Sequence, residues 1–543
     1  FIQAVSADAL TLNYTLENPD DYGITKPQSP LGSYTYEGMK QGLIETENSL
    51  YSLLSFDPAS LSASQKVLYD TLNLSFSHAL KEQDYLLYNQ ILSPASGFQA
   101  QLPVLLCEYS FSDIHDLEHY FMILKAVPDF YKDIIEFEKK RAANLTYMNA
   151  STVSGIIGQC RDFIADPESN LLITTFPDRM EDLSFLSDPE KNILEKKNKE
   201  LVLDFIIPAY HSLILGLESL QKLAKSDSGL SSFRDGQDFY RYKVEYEVGT
   251  FRPVEEIWTL IEKSLKDANK ELRSLALEDP TLFSRNFQLG VYSNTPSKIL
   301  KTLEQSISDH FPAIEKVTYD VKYVPSSLEK YMNPAFYLSP PMDRSDNNVI
   351  YINGSARYKN SDLFPTLAHE GYPGHLYQTV YLNEHQKSPL QGLMSFGGYS
   401  EGWATYAELY SYRYAGLKKN ESTILENNTI SSLMLTSLCD IGIHYYGWNL
   451  NDTLNYLEQY GIMDAQACEE LYRSVLDEPA SCLKYSVGYL EILELKKKAR
   501  KLMGNNYTEK AFHEYFLSMG PTWFPVLDEH MEKNIGSNNL LQQ

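Results

Sequence analysis

Cysteine is scarce in this chain: five residues in 543, at Cys107, Cys160, Cys439, Cys468 and Cys482. Odd in number and scattered, they make neither a disulfide framework nor a C-x-x-C metal spacing. One bridge is compatible with them, and they leave the redox compartment open. Positive charge is in deficit too, with 47 Lys and Arg against 72 Asp and Glu, a net charge of −25. So acidic a chain argues against nucleic acid or an anionic membrane as partner. Solubility is the plain reading of that charge, and a cleft that attracts cations is the narrower one. Long apolar runs are missing: no stretch approaches the ~20 residues of a membrane-spanning helix. The first residue is Phe1 rather than Met, as expected of a chain whose leader has been removed. That would put the protein outside the cell or in its envelope, although the sequence contains no leader and a cytoplasmic place stays open.

What is present describes a folded, mainly helical protein. A hydrophobic content of 43% with 22% charged residues is that of a globular chain, and 543 residues predict two or more lobes rather than one core. Leu10, Leu12, Tyr14 and Leu16 alternate with polar residues and predict a short strand, closed by the turn cluster Asn18-Pro19-Asp20-Asp21. From about residue 35 to 223 the pattern is helical, as in Ile206, Ile207, Tyr210, Leu213, Ile214, Leu217 and Leu220. Ala224 to Gly229 is the best linker. It predicts an N-terminal helical lobe over 1–230 and a catalytic helical lobe over 231–543. In the second lobe, Pro253 opens an amphipathic helix through Val254, Ile257, Ile261, Leu265, Ala268 and Leu272. Strand signals return over 317–324, 335–338 and 349–353, predicting one small sheet before a further run of helices.

The chemistry is concentrated just after that sheet. His369-Glu370-Gly371-Tyr372-Pro373-Gly374-His375 brackets a glutamate between two histidines, and Glu401 and Glu408 follow on a helical Glu-Gly-Trp-Ala-Thr-Tyr-Ala-Glu segment. Two imidazoles and a carboxylate are the ligand set of a catalytic zinc site, with a further carboxylate free to act as general base. The usual H-E-x-x-H spacing puts both histidines one turn apart. Here, on a regular helix starting near Asp362, His375 would lie about 240° round from His369 and about 9 Å along the axis. Pro373 lacks the N–H that such a helix needs. With Gly371 and Gly374 beside it, a bulge that loops out two residues is expected to bring His369 and His375 onto one metal. Glu401 and Glu408 share a helix face, so that one can bind the metal while the other holds a ligand histidine. A helix that simply ends at Pro373, with His369 as an ordinary half-buried histidine, is the bland alternative. A rival constellation, His115-Asp116-Leu117-Glu118-His119, matches H-x-x-E-H. It lacks a companion glutamate and reads better as a solvated helix face.

These motifs resemble the signatures of a large bacterial family catalogued as a domain of unknown function, number 885. The likeness extends from Asn18-Pro19, through Gly236 and Tyr240, to Phe512-His513 and Met519-Gly520-Pro521. The resemblance implies a zinc metallopeptidase with a mainly helical, two-lobed fold akin to thimet-oligopeptidase-like enzymes. The family's first motif usually ends in two histidines; here Leu376 stands at the second, so His375 has to be the ligand. Asp440-Ile441-Gly442-Ile443-His444 and Lys484-Tyr485-Ser486-Val487-Gly488 are similar to further family segments, whereas an arginine associated with the first is Thr436 here. They bring in His444 and Tyr485 as candidates for stabilising an oxyanion, although both segments are apolar and helical, as core packing would also require. The expectation is therefore a zinc-dependent peptidase acting on a peptide substrate. Zinc is held by His369, His375 and Glu401, and Glu370 is the general base. The strand at 349–353 is a candidate edge for an extended substrate. The alternatives are a metal-dependent hydrolase of non-peptide amides or esters and an inactive binding protein on the same fold.

Overall fold

The structure, a computed structural model, describes residues 1–536 apart from 182, 285–294, 325–328, 330–333, 345–347 and 356–362. Asp362, from which the motif helix was expected to start, lies outside the described residues. The chain divides into two compact units. One comprises Phe1–Glu47, Leu80–Ser228 and Pro340–Arg344; the other Asn48–Ala79, Gly229–Ser339 and Ser345–Gln543. The main crossing falls at the end of the 224–229 linker. The shorter segments 48–79 and 340–344 cross out of sequence order, and a single cut at residue 230 does not describe them.

The first unit is helical from its N-terminus, which corrects the strand expected there. Residues Ala9–Thr15 form a helix, α1, capped by the Asp8 carboxylate, which accepts the Thr11 N–H at 2.9 Å. Ala9 and Leu12 in the helix and Leu16 directly after it are buried, spaced three and four apart. The same leucines that alternate in period two therefore also fit a helical stripe, and the cap decides between them. Helix α2 (Ile114–Ala143) packs against α3 (Ile207–Leu220) over a core of aromatic and branched residues. Within that core the Tyr131 hydroxyl donates to the Tyr210 hydroxyl, which donates in turn to the Gln99 carbonyl. Continuous helix from Asp188 to Leu223, which includes α3, is long and apolar enough by composition to cross a membrane. Half of its most apolar window is buried in the protein, as in a core helix.

The second unit holds α4 (Val254–Glu278), which buries Val254, Ile257, Ile261, Leu265, Ala268 and Leu275. At about 1.5–3 kcal/mol for each large apolar side chain removed from water, this stripe is the main reason α4 docks. It is followed by a three-stranded sheet of β1 (Tyr319–Tyr323), β2 (Ala335–Leu338) and β3 (Asn348–Ile352), in the order β1-β3-β2. β3 is parallel to β1 and antiparallel to β2, and all five of its residues are buried. This corrects the expectation that 349–353 is an edge. β3 is paired on both sides, and among the described residues β2 is an edge strand.

After the sheet come α5 (Leu363–Glu370), α6 (His375–His385), α7 (Gly397–Ser411), α8 (Lys419–His444) and α9 (Leu483–Met503). α4 packs on α8, and α7 on both α5 and α9. The α7–α9 contact is unusually close because glycines face each other. A Cβ at Gly402 would collide with the Gly488 backbone, and one at Gly488 with the backbone of Gly398 and Gly402. The fold is thus mainly α with one small sheet beside the histidine helices. All five cysteines are free thiols.

Candidate metal centre

His369 lies in the last turn of α5, and His375 is the first residue of α6. The chain does not bulge within one helix, as expected; it breaks into two. Gly371 N–H still bonds to Leu367 O at 2.9 Å, and the helical pattern then stops until Tyr377 and Gln378 donate back to Gly371 O and Gly374 O. The peptide between Tyr372 and Pro373 is cis. Glycine is required at position 374, because any Cβ there would collide with the carbonyl oxygens of Ala368 and His369, over which the chain folds. Trp403 of α7, fully buried, donates its indole N–H to Pro373 O at 2.9 Å and so fixes the turn from below. Pro373, with Gly374 after it and Gly371 two residues before, permits either a bulge or a break, and the Trp403 bond holds the broken form.

The turn achieves the convergence that the six-residue spacing forbids in a helix. The His369 and His375 rings are 4.9 Å apart, nearly perpendicular. Both Nε2 atoms approach one oxygen of Glu401, at 3.5 Å from His369 and 3.2 Å from His375. Two ligand atoms each about 2.0–2.1 Å from a tetrahedral zinc would be roughly 3.3 Å apart, and these separations match. The three ligand atoms lie within 4.8 Å of one another, and among the described residues no other group of three His, Cys, Asp or Glu converges in this way. Glu408, two turns beyond Glu401, meets His369 Nδ1 at 3.2 Å. That bond orients the ring and leaves Nε2 for a ligand role, the carboxylate–histidine arrangement found behind catalytic metals.

The electrostatics fit a cation at this point. Burial by itself would lower the His369 pKa, but hydrogen bonds to Glu401 and Glu408, with the Glu370 charge, hold it well above the usual histidine range. Burial would likewise raise Glu401, yet the two histidines hold its carboxyl below the usual carboxylate range. Two imidazoles surrounded by three carboxylates favour positive charge between them, and the donor set suits zinc.

Glu370 lies beside this set. Its pKa is raised, first by burial and further by Glu401, while His369, His375 and the Tyr337 N–H oppose the shift. That N–H, on β2, donates to Glu370 Oε2 at 2.9 Å. Tyr485, near the start of α9, faces the His369 ring at 6.2 Å and is hydrogen-bonded to Glu401. Burial, followed by the charges of Glu401 and Glu370, pushes its hydroxyl far above the ordinary range, so the group keeps its proton.

His444 is not part of the site, which corrects its candidacy as an oxyanion donor. It is buried in the core, where its Nδ1 accepts the Leu230 N–H at 3.2 Å and its Nε2 lies 3.0 Å from the Val475 carbonyl. Both ring nitrogens serve backbone groups, and the imidazole stacks on Tyr240. His115 and Glu118 are exposed and form an i,i+3 ion pair at 3.5 Å. The neighbouring Asp113 and Asp116 form the capping box that starts α2. The rival H-x-x-E-H pattern is therefore a solvated helix start. Sequence reasoning missed Tyr337 and Trp403. The first acts through its backbone, which leaves no signal in residue type; the second was legible only as part of the α7 motif.

No curated protein matches this chain. Two solved structures of bacterial proteins, both described as "putative lipoprotein", share its fold. That from Colwellia psychrerythraea has a TM-score of 0.87 at 19% identity and covers 98% of this chain and 97% of its own. That from Shewanella oneidensis, "of unknown function", has a TM-score of 0.63 at 18% identity, covering 93% and 95%. A family model extends the likeness to the sequence itself over residues 20–531, and the chain accordingly belongs to the family described as bacterial protein of unknown function, DUF885.

Proposed function

We propose that the protein hydrolyses peptide bonds with zinc held by His369, His375 and Glu401. The observation that carries this reading is the convergence of both Nε2 atoms on one Glu401 oxygen, with Glu408 behind His369. Zinc, when bound there, would supply Lewis acidity to the reacting centre. The chain's own residues supply the proton chemistry and the orientation. Glu370 takes the proton from the attacking water and returns it to the leaving amine, as its raised pKa favours. The protonated Tyr485 hydroxyl donates a hydrogen bond to the oxyanion of the tetrahedral intermediate. The edge strand β2, whose Tyr337 N–H already reaches Glu370, is the backbone against which an extended substrate would lie. The lipoprotein description of both solved relatives supports a place in the cell envelope.

Metal analysis combined with a peptide-library digest tests the reading. About one zinc per chain and cleavage of peptides are expected. Protein that binds no zinc, or zinc-loaded protein that leaves all peptides intact while cleaving simple esters or amides, would overturn it.

A further inference from the structure

Among the described residues, one cation close to the candidate metal centre has no counterion. Lys484, a half-buried residue, directly precedes Tyr485, and its ammonium lies 5.5 Å from the centre of the Tyr485 ring. The aliphatic stem lies against Gly397, where an added Cβ would be 3.1 Å from Lys484 Cδ. Gly397 is one helical turn before Glu401 on α7, so the stem rests on the stripe that carries the ligand, about 6 Å along the axis from it. Among the described residues the Lys484 ammonium has no carboxylate partner and no hydrogen bond. With only the Tyr485 ring between it and His369, this ammonium is available to an anion brought by the ligand.

A peptide residue spans about 3.3–3.6 Å when extended. The Tyr485 ring lies 5.5 Å from the ammonium and 6.2 Å from the His369 ring, so at most about 12 Å separates lysine from ligand set, which a carboxylate one or two extended residues beyond the bond being cut spans together with its hydrogen bond. Given the peptidase reading above, on which this rests, we propose that Lys484 binds the C-terminal carboxylate of the substrate, so that the protein releases one or two residues from the free carboxyl end. The ammonium acts as a point charge with three donors, which suits a chain terminus that arrives in more than one orientation.

The test uses zinc-loaded protein and N-acetylated hexapeptide libraries prepared as free acids and as C-terminal amides, with cut positions and rates read by mass spectrometry. Free acids should be cut one or two residues from the end. The amides should fall by about 10- to 100-fold in kcat/KM, as expected for loss of a charge-assisted hydrogen bond, with the loss in KM. Lys484→Met should process acid and amide alike, and Lys484→Arg should restore part of the preference. Calorimetric binding of the best-cut sequence to zinc-loaded Glu370→Gln protein should repeat the acid-to-amide ratio without turnover. Parity of acid and amide in the wild type, a preference that survives Lys484→Met, or cutting set by Asp or Glu side chains would each overturn the assignment. Those outcomes leave the peptidase reading standing; failure of the zinc-loaded wild type to cut any peptide removes both.

Discussion

At the scale of single residues, the proposed reading gives the carboxylates of Glu370 and Glu408 separable tasks. Glu370 is oriented by the Tyr337 N–H, whereas Glu408 bonds directly to His369 Nδ1. Glu370→Gln should therefore keep its zinc and lose on the order of 10²–10⁴ in turnover, because the amide cannot accept a proton. Glu408→Gln should instead weaken zinc binding by about 10- to 100-fold, measured by competition with a chelator. Normal turnover in the first variant or unchanged affinity in the second would reverse these roles. A second pair, Asp440 and His444, lies one turn apart in the core of α8. Burial pushes the Asp440 carboxyl up to about 7 and the His444 imidazole down to about 4. The unfolded values are about 3.9 and 6.5. Asp440 thus contributes stability that is present below pH ~4 and lost as the pH rises to about 7. His444 contributes stability that is present above pH ~6.5 and lost as the pH falls to about 4. The two oppose each other over the same window. Denaturant midpoints of Asp440→Asn should fall more steeply than the wild type's between pH 7 and 4.5; an identical slope would show that Asp440 does not titrate there.

At the scale of elements, the site depends on how closely α7 and α9 approach. Glu401 is carried by the first helix and Tyr485 by the second, and the axes come together where Gly398, Gly402 and Gly488 meet backbone to backbone. Gly488→Ala should destabilise the protein by about 1–3 kcal/mol as the helices are forced apart, and zinc affinity should fall with it as Glu401 moves. Gly158 makes the control. It is exposed on the helix Ala150–Phe163, and a Cβ there meets nothing within 4 Å. Gly158→Ala should stabilise by about 0.4–1 kcal/mol and leave zinc binding unchanged. Urea unfolding together with zinc titration checks both. A Gly488→Ala protein of normal stability and affinity would mean that the close contact has slack.

For the molecule as a whole, the candidate metal centre belongs to one of the two units, and so do all four tryptophans, Trp258, Trp403, Trp448 and Trp523. Trp403 additionally holds the turn between the two histidines. Removing zinc should lower the melting transition followed by tryptophan fluorescence, since a metal that binds only the native state adds RT ln(1 + [L]/Kd) to stability. Helix content followed by circular dichroism should retain a component, from the tryptophan-free unit, that does not respond to the chelator. A fluorescence transition that ignores chelation would place the metal elsewhere or nowhere.

The sequence by itself determined which residues are candidates for the chemistry and most of the helices around them. His369, His375, Glu401 and Glu370 were legible because residue type and spacing are local properties. The stripe of α4 was legible because a helix that buries one face must repeat its apolar residues every three or four positions. Even there a short period-two pattern misled at α1, where the Asp8 cap tips the balance toward helix. Tertiary structure decided the rest. Whether the chain bulges or breaks at Pro373 depends on Trp403 and on the path of α6. Whether His444 faces a metal or two backbone groups depends on what packs against α8. Which strand lies at an edge depends on partners supplied by segments far apart in the chain. Each of these is a choice among conformations that the local sequence permits, and only long-range packing and hydrogen bonding separate them in energy.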